Sequence, residues 1–281
     1  MGKIKITCDS TCDLTRELYE KYNAHVVPLT IALGDELRQD TVNIDADELF
    51  SFVKESGQLP KTSAISIGEY MDVFGKYVNE GYTVIHINLS SLLSSSHQNA
   101  CLAAAELENV YVIDSKNLST GSGHLVLLAS AMAESGMDAE EIVSIINEKK
   151  EKLDVSFVLQ TLEFLHKGGR CSSLAAFGAN ALKLHPEIKV CDGAMQVGRK
   201  YRGDMEKSIL AYVHGRLDDR DDIDTDRIFV THSGVPTELL DKVVSTVKEL
   251  HPFKEVLITR AGCTISTHCG PACRGVLFFK K

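Results

Sequence analysis

The stretch Thr83-Val84-Ile85-His86-Ile87-Asn88-Leu89-Ser90-Ser91-Leu92-Leu93-Ser94-Ser95-Ser96 decides the fold class. Its first seven residues are largely β-branched or apolar and predict a strand. Five of the next seven are serine. A helix is predicted from about Ser95 to the alanine-rich end near Leu107. A strand that hands over to a helix through a hydroxyl-rich loop is the unit of a parallel sheet. In such sheets ligands sit beyond the carboxyl ends of the strands.

The same alternation extends in both directions. On the N-terminal side, Lys3 to Cys8 predicts a strand and Asp13 caps a helix start at Leu14-Thr15-Arg16-Glu17. His25 to Leu33 is a second apolar run, Asp45 caps a helix to about Glu55, and Ser66 to about Val78 is helical. On the C-terminal side, Val110 to Ile113 is a strand and two helices fill Gly121 to Lys152. Near Asp154 the pattern changes. Val155 to Gln160 is a strand, helical pieces follow, and Asp192-Gly193 between two short β-like runs predicts a hairpin. Helices at Met205 to Arg216 and Thr237 to Leu250 alternate with strands at Arg227 to Thr231, Val256 to Thr259 and Val276 to Phe279. Asp218 to Asp226 reads as a solvated acidic loop. The expectation is an α/β chain: an N-terminal parallel-sheet α/β domain over 1–152, then an α+β C-terminal domain over 153–281.

Composition narrows the function. The 281 residues are 44% hydrophobic and 25% charged, with a formal net charge of −9. An acidic chain is a poor partner for nucleic acid or an anionic membrane. No apolar stretch approaches the roughly 20 residues of a membrane span, and the first ten residues read as a strand and not as a signal peptide. Eight dispersed cysteines fit reduced thiols in the cytoplasm better than a disulfide framework. A zinc site at His268, Cys269 and Cys273, with Cys263 nearby, lacks the Cys-x-x-Cys pair common in structural sites, so no metal is expected. Neither Gly-x-x-x-x-Gly-Lys nor Gly-x-Gly-x-x-Gly occurs, and Thr120-Gly121-Ser122-Gly123 reads as a helix-start turn. No cofactor is expected.

Three segments carry hydroxyls where strands give way to helices: Asp9-Ser10-Thr11-Cys12-Asp13, Thr62-Ser63-Ala64-Ile65-Ser66 and Ser90 to Ser96. Any one hydroxyl reads most simply as a helix cap. Five serines after one strand exceed what capping needs, and hydroxyls with free helix amides make an anion site without a formal positive charge. Thr267-His268-Cys269-Gly270-Pro271 marks a tight turn whose histidine either faces a bound acid or simply completes the turn. Leu162 to Arg170 reads as a short helix with a glycine stop. Arg170 is then either solvated or set to meet an anion on a partner.

Taken in order, these pieces resemble the DegV family of bacterial fatty-acid-binding proteins, which includes the acyl-carrying subunits of the bacterial fatty acid kinase. Asp9-Ser10-Thr11 with Asp13 matches the opening motif. Lys61-Thr62-Ser63-Ala64-Ile65-Ser66 is similar to Thr-Ser-Gln-Pro-Ser. Ser90 to Ala100 is similar to Ser-Ser-x-Leu-Ser-Gly-Thr-Tyr-x-Ser-Ala. Val112-Ile113-Asp114-Ser115, Leu165 to Arg170 and Thr267 to Pro271 match later motifs. The chain departs from the pattern at Ser95-Ser96 for Gly-Thr, His97 for tyrosine, Ala272 for the second glycine of Gly-Pro-Gly, and Leu184-His185-Pro186-Glu187 near a more basic Lys-Pro pair.

The resemblance implies a protein that binds one long-chain fatty acid and presents its carboxylate to a separate ATP-dependent kinase subunit, with no catalysis of its own. It implies that Thr62 and Ser94 bond the carboxylate, aided by Ser63 and the Ser95 amide, with His268 close by. It places the acyl chain in an apolar tunnel inside the first domain and turns Arg170 toward the kinase. The alternative is an acyl hydrolase using Ser94 as nucleophile and His268 as base. That chemistry needs a third group to orient the histidine. A DNA-binding regulator is disfavoured by the acidic balance and by the lack of a recognisable helix-turn-helix.

Overall fold

Four parallel strands form the first sheet: β1 (Lys3–Asp9), β2 (His25–Val27), β6 (Tyr82–Asn88) and β7 (Val110–Asp114), in the order β2-β1-β6-β7. The structure, a computed structural model, describes residues 2–171 and 184–281. Alternation along β6 sends Ile85 and Ile87 to one face and Val84 and His86 to the other. The first face packs on α5 (Ser119–Glu134) and α6 (Ala139–Lys149), through Leu125, Ala129, Ile142 and Ile146. The second packs on α3 (Ile67–Asn79) and α4 (Ser96–Ala104), through Tyr70, Phe74, Ala100 and Ala103. Both faces are covered, as strands with near-continuous apolar runs require.

The second sheet has six strands in the order β10-β9-β8-β13-β11-β12. They are β8 (Leu153–Val158), β9 (Leu184–Cys191), β10 (Ala194–Arg202), β11 (Ile223–His232), β12 (Glu255–Arg260) and β13 (Arg274–Lys280). Only β11 and β12 run parallel. One face packs on α8 (Met205–Leu217) and α9 (Thr237–Leu250). The other turns Val155, Phe229 and Leu277 toward α5. Helix α5 is therefore a layer shared by two sheets, which is why it is buried nearly all round. Its His124 joins them: Nε2 donates to the Leu277 carbonyl at 3.0 Å. Residue 152, where the sequence reading divides the chain, is the last of the short turn Lys150–Lys152, just before β8.

Several local expectations change. The run His25 to Leu33 breaks at Pro28, so β2 stays in the parallel sheet and β3 (Thr30–Leu33) leaves it. With β4 (Glu36–Gln39) and β5 (Lys61–Ser63), β3 builds a separate antiparallel sheet in the order β4-β3-β5. Helix α1 (Arg16–Lys21) is capped by Thr15, whose hydroxyl accepts from Leu18 N. Asp13, expected as the cap, has φ 50° and closes the short turn Ser10–Cys12 instead. The acidic run is a loop only in part, because β11 begins at Ile223. Helix α2 (Ala46–Ser56) is capped by Asp45, as read. The Asp192-Gly193 hairpin also forms, with Cys191 facing Ala194 and positive φ at both turn residues. Of the helical pieces expected after β8, α7 spans Glu163–Gly168, and the remainder lies at 172–183, outside the described residues. Helix α10 spans Cys263–Cys269 and is followed by Ala272 at φ 57°, where the family motif has glycine. Among the described residues no helix is long and apolar enough to cross a membrane.

Candidate functional site

The serine loop after β6 is pinned at its start and left open at its end. Ser90 N donates to the Asn117 carbonyl at 2.8 Å, and Ser90 Oγ donates to the Gly193 carbonyl at 2.7 Å. Ser91 is held by Asp114 through both its amide and its hydroxyl. These bonds consume the first two hydroxyls. Ser94 Oγ lies 2.9 Å from Ser96 Oγ and accepts from Ser96 N at 3.2 Å. Ser95 occupies the N-cap of α4, yet its side chain makes no cap hydrogen bond. Ser66, by contrast, forms a full capping box with Glu69 on α3. The cap reading therefore holds for Ser66 and fails for Ser95.

Strand β5 brings the second hydroxyl segment alongside. Thr62 pairs with Ile31 in the small sheet. Two side chains that the sequence reading missed tie this segment to the serine loop. Ser96 Oγ accepts from Ile65 N at 3.3 Å, and Asn99 Nδ2 donates to the Ile65 carbonyl at 2.7 Å. Their signal was helical spacing: three residues apart on α4, both face the incoming strand.

Helix α10 supplies the third part. His268 Nε2 lies 3.0 Å from Thr62 Oγ1, a contact spanning 206 residues of sequence. Its Nδ1 has no hydrogen-bond partner among the described residues and packs against Gly168. A Cβ at Gly168 would approach Nδ1 to 2.5 Å, so only glycine fits there without displacing the ring. Burial, and secondarily the Arg170 charge, lower the His268 pKa to about 4, which keeps the imidazole neutral at pH 7.

All six sequence-predicted residues, Thr62, Ser63, Ser94, Ser95, His268 and Arg170, line one cavity of about 120 Å³. Its apolar wall includes Leu89, Leu93, Leu118, Met195 and Ile265, which composition alone did not single out. Arg170 is exposed and donates to the Gly168 carbonyl at 2.6 Å, so a cation stands beside the hydroxyls after all. The apolar space differs from the tunnel expected inside the N-terminal domain. Leu89 and Leu118 come from the first half, but Met195 and Ile265 come from the second. A smaller cavity of about 20 Å³ shares Leu118, Ile265 and Cys269 with it and continues to Phe157, Cys273 and Leu277. The line follows the seam between α5 and the second sheet because both layers turn apolar side chains into it.

The geometry bears on the chemistry available. A serine hydrolase needs its base on the nucleophile and a third group on the base. Here His268 meets Thr62 and not Ser94, and Nδ1 faces a glycine. Among the described residues no three His, Cys, Asp or Glu side chains group as a metal would require. What the site offers is hydroxyls and a neutral imidazole around an apolar-walled hollow, with the exposed Arg170 cation beside them, an arrangement that can satisfy a carboxylate attached to a hydrocarbon.

A family model described as "Uncharacterised protein, DegV family" matches residues 3–281. A DegV domain-containing protein of Clostridium perfringens is 38% identical over 205 residues, covering 72% of this chain and 74% of that one. The solved structure of a fatty-acid-binding DegV family protein from Thermus thermophilus superposes with a TM-score of 0.89. It is 29% identical and covers 99% of this chain and 100% of its own. A stearic-acid-binding protein from Eubacterium ventriosum superposes at 0.86, with 26% identity and coverage of 99% and 98%.

Proposed function

The chain belongs to the DegV family, and from that premise we propose that it binds one long-chain fatty acid by its carboxylate, in the cavity bounded by Thr62, Ser63, Ser94, Ser95 and His268. The observation that carries this reading is the convergence of Thr62 and Ser94, from two separate loops, on one hollow with a leucine-rich wall. The tail follows the seam past Leu118 and Ile265 toward Phe157 and Leu277. About 20 Å³ is room for roughly one water, so an acyl chain taking this path parts the walls as it enters. Each buried methylene contributes about 0.8 kcal/mol, and part of the sum is offset by immobilising the chain.

The head group is held by relay. If His268 Nε2–H donates to Thr62 Oγ1, the threonine hydroxyl is free to donate to the carboxylate. Nδ1 is then a bare lone pair against Gly168, which suits a site with no acceptor there. The protein holds its acid, does no chemistry on it and presents it in the cytoplasm to a separate ATP-dependent kinase subunit, with Arg170 at the mouth meeting that partner. We assign the head-group loops to a unit over 1–152 and the far wall to a unit over 153–281.

Thr62→Ala and Ser94→Ala test the reading. A hydrogen bond to a charged group contributes roughly 1.5–3 kcal/mol, so each variant should bind a fluorescent fatty acid about 10- to 150-fold more weakly. The double variant should be non-additive, because both groups serve one carboxylate. Melting temperatures should hardly move. Unchanged affinity in both single variants would place the head group elsewhere. Mass spectrometry of lipid extracted from fresh protein tests the ligand class, and finding none in well-folded protein argues against it. Acyl phosphate formed from ATP and oleate without a partner would overturn the non-catalytic assignment.

A further inference from the structure

Helix α10 has no cap of its own. Its N-cap is Gly262, which has no side chain to accept from the first amides. Those amides are satisfied from the other end of the chain. Gly262 N–H donates to Asp13 Oδ1 at 2.8 Å, Cys263 N–H to Asp40 Oδ1 at 2.7 Å and Thr264 N–H to Asp40 Oδ2 at 3.0 Å. The partners are 249, 223 and 224 residues apart in sequence. Both carboxylates are buried, Asp13 at 3% exposure and Asp40 at 1%, and among the described residues neither has a lysine or arginine within ion-pair range. Ser119 Oγ donates to Asp13 at 2.5 Å and Ser10 Oγ to Asp40 at 3.1 Å. Gly262 leaves room for this: a Cβ there would lie 3.0 Å from Asp40 Oδ1 and 3.3 Å from Asp13 Oδ1.

Two unpaired buried carboxylates are an expensive way to join two surfaces. Burial pushes both pKa values up, and the donated amides pull them back only in part. A leucine contact would hold the layers together at less cost. What the carboxylates add is direction, because three consecutive N–H groups fix both the axis and the rotation of α10. Rotation matters here: Thr264 and His268 are four residues apart and share a face, and both line the head-group cavity.

We propose that Asp13 and Asp40 are positioning residues, which clamp the start of α10 so that His268 meets Thr62. The clamp rests on the head-group reading above for its consequence, but its first effect is on His268 itself. The test uses full-length Asp40→Ala, Asp40→Asn and Asp13→Asn, with Ser144→Ala, an exposed position on α6, as control. The His268 ring is followed by NMR without ligand, and a fluorescent long-chain fatty acid is titrated beside melting curves. In Asp40→Ala the His268 resonances should shift and its pKa should rise from about 4 toward the ordinary 6.5. Affinity should fall about ten-fold, the loss of one good hydrogen bond. Asp40→Asn keeps one acceptor and should lie between, while Ser144→Ala should stay near wild type in both readouts. A folded Asp40→Ala with wild-type His268 resonances and pKa overturns the proposal. Should Asp40→Ala fail to fold, the two asparagine variants decide by the same signal, and wild-type His268 behaviour in both overturns it. Wild-type protein that binds no fatty acid refutes the head-group reading, while the ligand-free His268 signal still judges the clamp.

Discussion

Gly168 is the residue on which the head-group geometry turns most sharply. Thr62, Ser94 and His268 could be picked out by side-chain chemistry, since hydroxyls and imidazole are what a carboxylate seeks. Gly168 read only as part of a helix stop, yet its missing Cβ is what lets the His268 ring sit where Thr62 reaches it. Gly168→Ala separates the two roles. In a helix alanine is the better residue by about 1 kcal/mol, so propensity alone predicts no loss of stability. The added methyl must displace the imidazole, and fatty acid affinity should fall about ten-fold with little change in melting temperature. Titration of a fluorescent fatty acid decides it: affinity equal to wild type would mean that the Thr62–His268 contact does not matter to binding.

At the scale of elements, the β9–β10 hairpin and the serine loop form one device. The Asp192-Gly193 turn was legible because its two residues tolerate positive φ. That its tip would pin Ser90 was not legible, because a sequence does not say which loops meet. Gly193 has φ +84°, and a Cβ on it would come within 2.7 Å of Ser90 Oγ. Gly193→Ala should therefore cost about 1–3 kcal/mol from left-handed strain and contact together. It should also weaken ligand binding by loosening the loop that carries Ser94. Asp192→Gly relieves a positive φ and touches nothing at the site, so it should be neutral or mildly stabilising. Denaturant titration should show Gly193→Ala below wild type in stability and Asp192→Gly at or slightly above it, and a shared destabilisation would refute this account of the turn.

For the whole molecule the central layer is α5, and its buried histidine makes the assembly sensitive to acid. Burial lowers the His124 pKa from 6.5 to about 3. The unfolded chain then binds more protons than the folded one below pH 6.5, so stability falls as pH drops from 6.5 toward 3. At pH 4 the loss from this one group is about 3 kcal/mol. Asp9, Asp13 and Asp40, whose pKa values burial raises, act with the opposite sign: their contribution declines as pH rises through the raised values. Comparing wild type with His124→Gln cancels those shared terms. Glutamine can still donate to the Leu277 carbonyl but does not titrate. The stability advantage of wild type over the variant, from urea unfolding at pH 7, 5.5 and 4.5, should shrink as pH falls. A difference constant across that range would show that His124 does not couple folding to protonation.

Some of this was determined by the sequence alone. Local periodicity and turn chemistry set the parallel sheet, the hairpin and most helices, because those features depend on neighbours within a few residues. The hydroxyl segments were legible for the same reason, as were the ordered motifs that relate the chain to its family. Only tertiary structure decided the rest. Pro28 sent one apolar run into two sheets, α5 became a layer between them, and the apolar hollow opened at the seam instead of inside the first half. Asp13, read as a local cap, closes its own turn and holds a helix 249 residues away. Such contacts depend on which surfaces exclude water together, and a residue carries no local mark of the distant partner that will satisfy it.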